Sequence, residues 1–309
     1  MSRWHGAFVP GPGSAVGPPV DVTVYPAVGD SGPGPAPAVL VLPGGGYREH
    51  SGNAAGQVAR WLAALGFHAF ALRYRLLPEL FPTALVDARA GLDHIRTGDH
   101  GLAVDPSRVG VMGFSAGGHL AGLLTAGTIL GGEKYPGPAP RPDFTVLAYA
   151  IADLDLVDQP TVDRLVGNSP TLHDELSPTR HLDDQPCPTF VWATGQDLPG
   201  LRNTLRWGEA TAAAGRRVEV HIYPDGPHGV GLADGCDGYP DLPHTARWIE
   251  DCEAWLQARR ISSPVWRQLA RPVERPAWAW SCGLVAHRVQ PRSACLSFGW
   301  FHGIIAQTG

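Results

Sequence analysis

No apolar run reaches the roughly 18 residues that a membrane-spanning helix requires, so no membrane partner is expected. The opening stretch "MSRWHGAFVPGPGSAVGPP" lacks the roughly 7–15-residue apolar segment of a secretory signal, and the chain reads as cytoplasmic. The five cysteines (Cys187, Cys236, Cys252, Cys282, Cys295) are scattered and form no C-x-x-C, which favours reduced thiols over a disulfide framework. Thirteen histidines give neither H-E-x-x-H nor a Cys/His knuckle, so no metal is expected. Lysine is nearly missing: Lys134 stands alone among arginines, a bias that reads as genome composition. A net charge of −5 gives no reason to expect nucleic acid as a partner. What the chain does have is 44% hydrophobic residues over 309 positions, ample for a large core.

Residues 1–19 are rich in Gly and Pro without periodicity and read as a loose lead-in. Short apolar runs then recur: "VDVTVY" (20–25), "AVLVL" (38–42), "FHAFAL" (67–72), "RVGVMGF" (108–114), "FTVLAYA" (144–150), "TFVWAT" (189–194) and "VEVHIY" (218–223). Most are nearly continuous, as expected of strands covered on both faces. Helical patterns lie between them. Val58, Trp61, Leu62 and Leu65 share a face, with Gly66 as the stop; Leu85, Ala88, Leu92 and Ile95 do the same after Pro82. Trp248, Ile249, Cys252, Trp255 and Leu256 form a last helix face. This alternation predicts an α/β domain over 20–258, a doubly wound, mostly parallel sheet with helices on both faces. Chemistry in such a sheet is expected in the loops beyond the carboxyl ends of the strands.

From Arg259 to Gly309 the character changes. This stretch holds seven arginines and one acid, Glu274, leaving 17 basic against 28 acidic residues in the rest. Four tryptophans (Trp266, Trp278, Trp280, Trp300) follow no helical or strand period. A disordered or weakly docked basic extension and an out-of-frame translation of GC-rich DNA both remain open readings.

One serine stands in a G-x-S-x-G frame. In "RVGVMGFSAGGHLAG" Ser115 follows an apolar strand and opens a helical run, the strand–turn–helix setting of a nucleophile elbow. Side chains two residues to either side of so sharp a turn would collide, so Gly113 and Gly117 are read as shaping it. The alternative is a serine N-cap with incidental glycines. Upstream, "AVLVLPGGGYREH" ends a strand in consecutive glycines, whose N–H groups are free to face an anion. Gly45, Gly46 and Ala116 are the expected oxyanion-hole donors, and Tyr47, Arg48, Arg73 and Tyr74 are candidate pocket residues, Tyr47 first.

A base is expected late in the chain. His228, in "VEVHIYPDGPHG", lies just past a strand end, whereas His221 falls inside that strand and His244 at a helix start. The acid is sought after the preceding strand, where "TFVWATGQD" supplies Asp197; Asp225, only three residues before His228, suits the turn better. The order Ser115, Asp197, His228 is that of the α/β-hydrolase arrangement.

These pieces, "LPGGGY", "DPSRVGVMGFSAGGHLA", "FVWATGQD" and "YPDGPHG", resemble α/β-hydrolase-fold esterases of the acetyl-xylan-esterase-like and carboxylesterase branch over about residues 20–258. The run "LPGLRNT" after Asp197 departs from that branch's usual Val-Pro and polar run. The resemblance implies a cofactor-free serine esterase for short acyl groups, chiefly acetyl, on small alcohols such as sugars or xylo-oligosaccharides. A prolyl-oligopeptidase-like peptidase and a non-catalytic binding protein on the same fold are the alternatives. The sequence does not set the oligomeric state.

Overall fold

The apolar runs become strands of one sheet: Ser2–Trp4 (β1), Asp21–Tyr25 (β2), Ala36–Leu42 (β3), His68–Arg73 (β4), Val104–Phe114 (β5), Thr145–Ala148 (β6), Thr189–Thr194 (β7) and Val218–Tyr223 (β8). The structure is a computed structural model, and it describes residues 2–4 and 21–261 apart from 29–33, 52–53, 77, 79–80, 98–99, 129, 131–139, 183–186, 237 and 260. The chain divides into two units, Met1–Arg267 and Gln268–Gly309, the second wholly outside the described residues. The predicted basic tail therefore lies outside them from residue 262 onward.

The spatial order is β1-β2-β4-β3-β5-β6-β7-β8. β2 runs antiparallel to both β1 and β4, and every other pair is parallel. The mostly parallel, doubly wound α/β sheet is thus present. Its winding reverses at β3, which has β4 on one side and β5 on the other. That reversal opens a crevice beyond the carboxyl ends of β3 and β5, where doubly wound sheets bind ligands.

Helices Ala54–Ala64 (α1), Thr83–Thr97 (α2), Ala116–Ala126 (α3), Gln159–Val166 (α4), Pro170–Glu175 (α5), Leu198–Ala213 (α6) and Trp248–Ala258 (α7) complete the fold. All seven residues of β3 are buried, and Ala38–Leu42 alternate between two cores. Ala38, Leu40 and Leu42 join Leu85 and Leu92 of α2, Leu120 and Leu124 of α3, and Trp207 of α6. Val39 and Val41 join Val58 and Leu62 of α1, and Trp248, Cys252 and Trp255 of α7. Each Leu or Val so buried contributes about 1.5–3 kcal/mol, which explains why β3 carries no polar face.

Three departures from the sequence reading concern boundaries. Ser2–Trp4 pairs with β2, inside the stretch read as a lead-in; three residues are too few to show a period. Residues 5–20 lie outside the described set. After β6 the chain makes a 3-10 turn, Leu154–Leu156, and then the unforeseen α4 and α5. At the other end the domain runs past 258: Ile261 is buried and its N–H donates to Leu256 O, while the Arg259 guanidinium lies 5.6 Å from the Trp255 ring centre.

Candidate active site

Ser115 sits between β5 and α3 with φ 52° and ψ −117°, a conformation that non-glycine residues adopt only under constraint. The constraint is visible. Its N–H donates to Ala148 O at the end of β6 (3.0 Å), and its carbonyl accepts from His119 N (2.9 Å). A Cβ on Gly113 would stand 2.2 Å from Gly117 O, and one on Gly117 would stand 2.2 Å from Leu42 O and 2.3 Å from Pro43 O. The two glycines read as shaping the turn are those at which no side chain fits. Among the described residues no side chain caps α3, and Ala116, its first residue, lines the crevice.

Ser115 Oγ lies 2.7 Å from His228 Nε2, and His228 Nδ1 lies 2.7 Å from Asp197 Oδ2. A carboxylate only accepts, so Nδ1 carries the proton and donates to Asp197, leaving Nε2 to accept from the serine hydroxyl. The imidazole side chain is half exposed and the carboxylate buried. Asp197 is also the N-cap of α6: its Oδ1 accepts from Gly200 N (3.1 Å). The departing run "LPGLRNT" forms about the first two turns of this helix, so one carboxylate both caps α6 and faces His228. A side chain at Gly200 would stand 2.1 Å from Asp197 Oδ2. Of the competitors, His221 pairs with Glu219 inside β8, His244 stands next to the 3-10 turn Thr245–Arg247, and Asp225 offers its backbone carbonyl to Thr245 Oγ1.

The glycine loop meets this group from β3. Gly45 has φ +121° and a Cβ there would stand 2.0 Å from Glu49 O, so only glycine fits. Among the described residues neither Gly45 N nor Gly46 N has a backbone acceptor, whereas the carbonyl of Gly45 closes the turn by accepting from Arg48 N and Glu49 N. Gly45, Gly46, Tyr47, Ser115, Ala116, Asp197 and His228 all line one pocket of about 720 Å³. Val157, Thr161 and Arg164, from the segment leading into α4 and from α4 itself, form part of another wall.

Two candidate pocket residues are elsewhere. Arg73 ends β4 beside the outer strand β2 and pairs with Asp21 (3.4 Å). Tyr74 is buried beneath the glycine loop, its hydroxyl donating to Pro43 O (2.7 Å). Arg73 is laterally paired with Asp21 of β2, and Tyr74, the residue just past β4, lies beneath the loop, so neither faces the crevice.

The sequence reading missed the groups that hold the His228 loop. Thr194 Oγ1 donates to Gly226 O (2.6 Å) and Gln196 Oε1 accepts from Gly226 N (3.0 Å). Tyr149, itself at φ 39°, accepts from Gly231 N at its hydroxyl (3.2 Å), and its ring meets the His228 ring edge-on at 5.1 Å. Burial raises the Tyr149 hydroxyl well above its ordinary pKa, so it stays protonated. Tyr149→Phe removes that acceptor and strands a loop N–H, an expected loss of about 1–2 kcal/mol of unfolding free energy in urea denaturation.

Fold and geometry together define the class: a doubly wound α/β protein with a serine–histidine–aspartate hydrogen-bond chain above its switch point. The chain belongs to the alpha/beta hydrolase fold family, whose model matches residues 39–232. Among curated proteins it is 28% identical over 236 residues to an acetylxylan esterase of Xylanibacter ruminicola, covering 72% of this chain and 45% of that one. It is 30% identical over 223 residues to the esterase LipI of Mycobacterium tuberculosis, covering 64% and 67%. The chain thus spans less than half the length of the acetylxylan esterase it matches. Among solved structures, an acetyl ester-xyloside bifunctional hydrolase from Caldicellulosiruptor lactoaceticus superposes with TM-score 0.70 at 32% identity over 79% of this chain and 89% of that one. These homologues and neighbours are carboxylic ester hydrolases. No helix among the described residues is long and apolar enough to cross a membrane.

Proposed function

We propose that this protein is a serine esterase that removes short acyl groups, chiefly acetyl, from small alcohols such as sugars or xylo-oligosaccharides. The observation that carries the reading is the continuous chain Ser115 Oγ, His228 Nε2, His228 Nδ1, Asp197 Oδ2, with both links at 2.7 Å. His228 takes the serine proton as Oγ attacks the acyl carbonyl. Asp197 holds the tautomer and stabilises the imidazolium. The N–H groups of Gly45, Gly46 and Ala116 receive the oxyanion, each such donor typically contributing about 10²–10³ in rate. The alcohol leaves with the proton from Nε2, and a water releases the acid by the same steps. The residues need no cofactor for this.

A pocket of about 720 Å³ has far more room than an acetyl group fills, which supports a sizeable alcohol moiety. The test is a p-nitrophenyl ester panel of two, four and eight acyl carbons, followed by acetylated xylo-oligosaccharides. The two-carbon ester is expected to turn over fastest. Cleavage of aminoacyl-naphthylamides in place of esters would favour the peptidase alternative. Failure to release acid from any ester would leave the non-catalytic reading.

A further inference from the structure

His119 is fully buried one turn beyond Ser115, and the steps just described give it no task. Its Nε2 lies 2.7 Å from Leu176 O, and a carbonyl only accepts, so the ring proton is on Nε2. Nδ1 is then an acceptor, and the Tyr47 hydroxyl donates to it at 2.8 Å. Burial draws His119 down to about 4, so the ring is neutral near pH 7 and this polarity of donors and acceptors stands. Burial likewise pushes the Tyr47 hydroxyl well above its ordinary range, keeping its proton in the bond.

Three segments meet in this pair. Tyr47 follows Gly46 directly, with φ 60°, so its side chain hangs on the backbone one residue after the Gly46 N–H. His119 belongs to the turn whose N–H binds the Ser115 carbonyl. Leu176 ends α5, in the segment after β6 whose earlier part forms a pocket wall. The loop is held at its other end too: Tyr74 donates to Pro43 O, and His50 Nε2 donates to Tyr74 O (3.0 Å). Tyr74 therefore fixes where the loop starts. The Tyr47 hydroxyl ties the loop's middle to the helix that follows the serine.

We propose that Tyr47 and His119 are positioning residues for the esterase reaction: their buried hydrogen bond sets the distance between the glycine-loop N–H groups and Ser115 Oγ. The inference rests on the esterase reading. A donor displaced by a fraction of an ångström stabilises the oxyanion less while leaving the ester's binding contacts in place. Loss of the bond is therefore a loss of kcat and not of affinity.

Tyr47→Phe deletes only the hydroxyl and keeps the ring that packs edge-on against Tyr74 (5.9 Å) and Phe81 (5.3 Å). With p-nitrophenyl acetate the expected result is a fall in kcat of about tenfold or more, with KM within about threefold of the parent, given that misplacement by 1 Å costs on the order of 10². Inhibition by a trifluoromethyl ketone, whose adduct bears the oxyanion, is expected to weaken in parallel with kcat/KM. His119→Gln, which retains a donor and an acceptor, is expected to recover part of kcat relative to His119→Leu. Should Tyr47→Phe fail to fold, the comparison of His119→Gln with His119→Leu carries the same test. Parental kcat and ketone affinity in Tyr47→Phe, or equal kcat in the two His119 variants, would overturn the proposal. Absence of turnover in the unmodified protein would instead overturn the esterase reading beneath it.

Discussion

Ser115→Ala is expected to abolish acetyl release, by about 10⁴-fold or more in kcat, while the fold and its thermal midpoint stay close to the parent. The two halves of this expectation have separate causes. The activity loss follows from deleting the one oxygen that His228 Nε2 faces at 2.7 Å. The unchanged stability follows from what is left behind. Alanine retains the Cβ that already tolerates φ 52°, and the backbone bonds to Ala148 O and His119 N do not involve Oγ. His228 loses a partner, but its side chain is half exposed, so water replaces the hydroxyl at little cost. The measurement is p-nitrophenyl acetate hydrolysis beside circular dichroism melting, with a fluorophosphonate mass adduct as an independent report on the nucleophile. Parental activity in Ser115→Ala would place the nucleophile elsewhere and end the proposed mechanism. A folded, inactive variant that also fails to take the phosphonate would assign the chemistry to Oγ.

Much of this arrangement was legible because its parts are local. The G-x-S-x-G frame, the triple glycine and the "GPHG" turn each lie just beyond an apolar run, and the strand order brings those ends together. What escaped the sequence escaped for physical reasons. His119 looks like one more polar residue on an apolar helix, and only the distant Tyr47 and Leu176 make its burial affordable. Tyr149 ends an apolar run, and its hydroxyl partner is 82 residues away. Gly200 was hidden inside the run "LPGLRNT", which reads only as a departure from the esterase branch. The cue was an Asp three residues before a Gly, the spacing at which an N-cap carboxylate crowds the third residue of a helix. Arg73 and Tyr74 were pocket candidates that no spacing supported, and their partners, Asp21 and Pro43 O, hold them away from the crevice. The helices α4 and α5 are short, and their existence depends on caps from Asp158 and Ser169 more than on any long period.

The elbow itself provides the second large expected effect. Gly117→Ala is expected to lose about 3 kcal/mol or more of unfolding free energy, beyond the usual range for an added methyl, and to lose activity with it. In an unobstructed helix the same change stabilises by roughly 0.5–1 kcal/mol, so the sign is reversed by location alone. At Gly117 the three nearest atoms to a Cβ are Leu42 O (2.2 Å), Pro43 O (2.3 Å) and Leu42 C (2.6 Å), all backbone, and none can rotate aside. Relief requires α3 to back away from the end of β3, and that movement separates Ser115 from the glycine loop. Gly208→Ala on α6 is the matched control: the one atom within 4 Å of its Cβ is Val220 Cγ2 at 3.0 Å, a side-chain methyl at the surface and not backbone, and it is expected to be neutral or slightly stabilising. Urea denaturation of the two variants side by side, with p-nitrophenyl acetate turnover on each, separates the effect of contact from that of helix propensity. If Gly117→Ala proved as stable and as active as Gly208→Ala, the close approach of α3 to β3 would not be what demands glycine, and the sharp turn would need a different origin. The expected divergence ties the stability of the turn to its chemistry, because the carbonyls that exclude a side chain at Gly117 are those of the two residues immediately before the glycine loop.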